Sequence, residues 1–165
     1  LSAGTVCIFL LPILLAAAVR PGTLTGTVAA HTGVSTSVSA DASSVENLLS
    51  RVETEGAYRR MTLKELLSLT TADPAKAAGL KVAVEGLVWS GQAETDTFTL
   101  VRFLITCCAA DATALGVPVV WQEASALASN TWVVVRGTVS FEGRSPRIVA
   151  DEVVPGMMPS NPYLY

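Results

Sequence analysis

The sequence predicts a mainly β domain of short strands, carried behind one N-terminal transmembrane helix and a flexible linker. Three observations predict it: an uncharged apolar run at the start, a polar stretch poor in large side chains after it, and a series of short β-branched runs over the remainder. The 165 residues are 50% hydrophobic with a mean hydropathy of +0.48, more apolar than a soluble domain of this size, and the excess is concentrated at the beginning.

Residues 1–19, Leu1 to Val19, carry no charge. As a helix they rise about 28 Å, close to the hydrocarbon thickness of a bilayer. Pro12 interrupts the run, but neighbouring groups re-satisfy a freed carbonyl in a membrane helix. A cleaved signal peptide is the rival reading, because Ala16, Ala17 and Ala18 offer the small residues a signal peptidase accepts. Against it, the chain starts at Leu1 with no basic n-region. The transmembrane helix is preferred, as the end of a truncated membrane region. Arg20 is the only basic residue before Arg51, so the flank lacks the Lys/Arg excess of a cytoplasmic loop. The domain is therefore expected on the extracytoplasmic side of the cell membrane.

Residues 20–57 turn to Thr, Ser, Ala, Gly and Val. Such a composition buries too little surface to offset its ordering entropy, so a flexible linker is expected. Ser43, with Glu46 three residues on, is placed to cap a short helix there. His31, the only histidine, reads as a solvated side chain, since a metal site needs several converging ligands.

Residues 58–165 read as the folded domain. Thr62 and Glu65 form a capping-box pattern ahead of Leu63, Leu66 and Leu67 on one helix face. Asp73, Pro74 and Gly79 mark the cap, first position and end of a second short helix. Strands follow at Lys81–Trp89, Thr97–Cys107, Val117–Trp121, Thr131–Phe141 and Arg147–Val154, with a helical insert expected at 122–129. Val82–Val88 and Val133–Val139 share a glycine at the same offset, Gly86 and Gly137, where a small barrel bends its sheet. Five short strands with two bend points predict a small five-stranded OB-like barrel, a β-sandwich fragment being the alternative.

Several functions are excluded by composition. The net charge is -3, and residues 56–165 hold no surplus of Lys and Arg over Asp and Glu, so there is no electrostatic footprint for nucleic acid. The domain has no histidine, which removes Ser-His-Asp and Cys-His arrangements, and no glycine-rich loop precedes a helix as a phosphate cradle. No enzymatic activity is expected. Trp89, Trp121 and Trp132 read as core or rim packing, since no basic residues interleave with them.

The chemically loaded stretch is Arg102 to Ala112, in which Cys107 and Cys108 are followed by Asp111. Two thiols and a carboxylate are three donors for zinc or another divalent metal. On a regular strand adjacent cysteines face opposite ways, so this requires the backbone to turn at Cys108, which Ala109 and Ala110 permit. Two other readings stand beside it: one cysteine packs in the core while the other lies idle, or the pair does thiol redox chemistry, for which no CxxC spacing speaks.

At this stretch, together with the helix start Thr62–Leu66, the strands Val82–Val88 and Trp132–Val139, and the ending Asn161–Tyr165, the chain resembles the YcgQ-like family of bacterial membrane proteins. The resemblance spans Met61 to Tyr165. It implies an N-terminal membrane region followed by an OB-like domain, and a multi-span permease of the YcgR type as partner. It also implies a metal-ligand role for the thiol pair, because histidine stands for the first thiol in some relatives. Three functional expectations result: a non-enzymatic accessory subunit that binds metal through Cys107, Cys108 and Asp111; a thiol redox protein using Cys107 and Cys108; or a docking domain with inert cysteines.

Overall fold

The structure, a computed structural model, describes residues 25, 29, 33–39, 42–91 and 96–165. The expected transmembrane helix at 1–19 and His31 lie outside them. Among the described residues no helix is long and apolar enough to cross a membrane.

The elements are β1 (Val34–Ser35), α1 (Ala42–Arg51), β2 (Thr54–Glu55), β3 (Tyr58–Arg60), α2 (Leu63–Ala72), α3 (Pro74–Ala77), β4 (Lys81–Trp89), β5 (Thr97–Leu104), β6 (Thr113–Val120), β7 (Trp132–Glu142), β8 (Ser145–Pro155) and β9 (Tyr163–Leu164). The fold is mainly β, built on a closed five-stranded barrel. β4 pairs antiparallel with β5 and β7, β5 with β6, and β7 with β8; the parallel pair of β6 and β8 closes the ring. Alternation explains the strands: Val82, Val84 and Val88 of β4 and Val133, Val135 and Val139 of β7 are buried. They meet Phe98, Leu100, Leu115 and Ile148 in one core.

The capping box at α2 is present: the Glu65 N–H donates to the Thr62 hydroxyl, and the Thr62 N–H to the Glu65 carboxylate at 2.7 Å. That cap starts the helix where Leu63, Leu66, Leu67 and Leu69 all turn into the barrel core. Full burial of each leucine stabilises by roughly 1.5–3 kcal/mol. Asp73 caps α3, with Pro74 at its first position.

Three differences from expectation have physical causes. The second strand ends at Leu104, before the cysteines, because the N–H groups of Thr106 and Cys107 turn to the Asp111 carboxylate instead of a ladder. The third strand begins earlier than Val117, at Thr113, where small residues pair with the end of β5. The insert at 122–129 is a single 3-10 turn at Ala124–Ala126. Within 20–57, Val34 and Ser35 pair in parallel with β6, and Leu49 and Val52 pack against the core, so apolar residues of this stretch find places on the barrel.

The two glycines play different parts. β8 steps past Asp151 opposite the Arg136/Gly137 junction, a bulge, and a side chain at Gly137 would collide with the Val149 carbonyl oxygen and stand 2.8 Å from the Ala150 Cα. Gly86 stays in regular register with Val133, but a Cβ there would lie 2.9 Å from the Leu100 side chain. One glycine bends the sheet. The other admits a neighbour.

Candidate functional site

The loop 105–112 joins β5 to β6, and both its ends are fixed. Ile105 donates its N–H to the Leu164 carbonyl of β9 at 2.9 Å, and Leu104 pairs with Thr113 across the loop's base. In between, the chain bends over 106–108 and closes into a 3-10 turn at Ala109–Asp111. The Asp111 carboxylate organises the bend: it accepts from the Thr106 N–H at 3.2 Å and from the Cys107 N–H at 2.7 Å, while the Asp111 N–H donates to the Cys108 carbonyl at 3.1 Å. An aspartate four and five residues after the N–H groups it accepts holds the loop tight through local side-chain-to-backbone bonds.

Both thiols are exposed. Neither packs in the core, because the strand that would have carried one inward has already ended. The Cys107 thiol is pushed above its ordinary value, first by its hydrogen bond to the Asp111 carboxylate, then by one to the Cys108 thiol and by the charge of Asp111. Asp111 is held below the usual carboxylate range by the Cys107 thiol, against some burial, and by the backbone N–H groups of the loop. The structure thus sets Cys107 against both Cys108 and Asp111. Among the described residues, however, no group of three or more His, Cys, Asp or Glu side chains stands ready to hold an ion. In the loop the carboxylate oxygens are turned to backbone N–H groups.

A second feature adjoins this loop. Val101 of β5 pairs with Leu87 of β4, whereas Phe103 pairs with Tyr163 of β9, so the strand changes neighbours around Arg102. Arg102 fills that seam at 6% exposure. Its Nε donates to the Pro162 carbonyl at 3.1 Å and its Nη2 to the Asn161 carbonyl at 2.9 Å, and its guanidinium lies 5.1 Å from the Trp132 ring centroid. Reasoning from sequence missed this residue and the cation–π contact it gives Trp132. The available signal was a lone charge inside the apolar run Thr97–Leu104.

Residues 57–165 match the family described as the DUF1980 C-terminal domain. The chain belongs to that family. The DUF1980 C-terminal domain takes in all five barrel strands, the thiol loop and β9. No curated protein matches the chain. Among solved structures, asparaginyl-tRNA synthetase from Pyrococcus horikoshii, complexed with asparaginyl-adenylate, is similar at 17% identity and a TM-score of 0.33. That match covers 53% of this chain and 23% of the synthetase chain, and a likeness so slight carries no argument about the DUF1980 domain.

Proposed function

We propose that this protein is a non-enzymatic, membrane-anchored accessory subunit of a permease, whose barrel presents Cys107 and Cys108 to a soft or borderline divalent metal such as zinc. The observation that carries the reading is the pair of exposed thiols on a loop whose ends and bend are all fixed by hydrogen bonds. Thiolates suit zinc, and a surface pair leaves coordination positions for water or for donors from a partner. Asp111 supplies a third donor once the Cys107 proton is displaced and the carboxylate turns from the loop's N–H groups. The ligand set therefore forms on binding.

The strand order, with strands one to three in an antiparallel meander, the fourth paired to the first and to the fifth, and a parallel pair of third and fifth strands closing the ring, supports an OB-like reading of the barrel. The resemblance to the YcgQ-like family supports the membrane anchor and a YcgR-type permease as partner, and the scarcity of Lys and Arg between Arg20 and Arg51 supports the extracytoplasmic side. Thiol redox chemistry is less well supported, since a nucleophilic thiol needs a stabilised thiolate and the Asp111 carboxylate acts in the opposite sense on Cys107. Zinc titration of the full chain in detergent, against a chromophoric competitor, tests the metal claim. Uptake near one ion per chain is expected, and it is lost in the Cys107→Ser, Cys108→Ser double variant. Equal uptake by that variant would remove the claim.

A further inference from the structure

A groove of about 270 Å³ crosses the outside of the barrel, walled by Arg60, Met61, Glu85, Arg102, Val134 and Arg136. Its volume has room for roughly nine waters at the liquid share of each. The charges in it are unevenly matched. Arg136 is fully engaged: its Nη2 meets Glu55, which also lines the groove, and its Nη1 meets Glu152, each at 2.7 Å. Arg60 is exposed, and among the described residues it makes no ion pair. Arg102 is nearly buried, and its two hydrogen bonds go to neutral backbone carbonyls through Nε and Nη2, leaving Nη1 uncommitted. Glu85 acts on Arg102 only through its charge, without a salt bridge.

A guanidinium withdrawn from water without a carboxylate partner is costly, and the planar fork of arginine is suited to oxyanions. We infer that this groove is a binding site for a small oxyanion, a carboxylate or a phosphate group, held between Arg60 and the free edge of Arg102. Met61, Ala83 and Val134 give the ligand's carbon skeleton an apolar floor. The site is separate from the thiol loop and stands whether or not that loop binds metal. Glu85 limits its affinity by like-charge repulsion.

The test is calorimetric titration of the full chain in detergent at low ionic strength, with inorganic phosphate in one arm and malonate in the other. Saturable binding in at least one arm at millimolar concentration is expected, and the arm that binds names the oxyanion class. Arg60→Ala changes an exposed side chain and leaves the fold intact, and it should weaken binding about tenfold, as loss of a charge-assisted hydrogen bond does. Glu85→Gln should strengthen it. No saturable binding in either arm overturns the proposal, as does equal affinity in Arg60→Ala or reduced affinity in Glu85→Gln.

Discussion

Asp111 works on two parts of one loop. Its oxygens accept the N–H groups of Thr106 and Cys107, which fixes the bend, and its charge faces the Cys107 thiol, which keeps the proton on sulfur. A thiol with a raised pKa keeps its proton to higher pH, so the carboxylate delays thiolate formation as pH rises. Removing the charge should reverse this. In Asp111→Asn the pH profile for alkylation of Cys107 by iodoacetamide should move to lower pH, with several-fold faster modification at neutral pH. Cys7→Ser combined with Cys108→Ser makes the readout specific to one sulfur. An unmoved profile, or one moved to higher pH, would contradict the assigned role of Asp111. The same residue shows what was legible in sequence. The nearness of two thiols and a following carboxylate could be read from spacing, but the hydrogen bonds that commit the carboxylate to the backbone could not, because they depend on how the loop between β5 and β6 folds back on itself.

Among the elements, the strands and helix caps were the most legible features, and the reason is local chemistry. The capping box at Thr62, the Asp73–Pro74 start and the alternating valines of β4 and β7 are set by neighbours within a few residues. Strand ends were less legible. Thr113 joins β6 because Leu104 lies across from it, a partner distant in sequence that no local pattern announces. The glycines show the same division: an offset shared by Gly86 and Gly137 suggested one device, yet only Gly137 faces a bulge. Gly137→Ala should therefore destabilise the domain by about 2 kcal/mol or more, since the clash is with the backbone of β8 and cannot be relieved by a rotamer change. Urea unfolding monitored by tryptophan fluorescence gives the value. A loss within about 0.5 kcal/mol, the range of ordinary surface substitutions, would mean that the bulge tolerates a side chain.

On the scale of the whole molecule, closure of the barrel decides which residues meet. Joining β6 to β8 in parallel completes the ring, and β9 then extends the sheet beyond β4 on the free edge of β5. That arrangement puts the C-terminal strand against the base of the thiol loop and leaves Arg102 in the seam, between the loop and the arginine-walled groove. Neither neighbour relation could be read along the chain, since Arg102 and Pro162 are far apart in sequence. The central claim is that Cys107 and Cys108 act together on one metal ion. X-ray absorption at the zinc edge, recorded on the zinc-loaded full chain, tests it most directly. Two sulfur scatterers at about 2.3 Å are expected, with oxygen or nitrogen completing the shell. A shell of oxygen and nitrogen alone would contradict it.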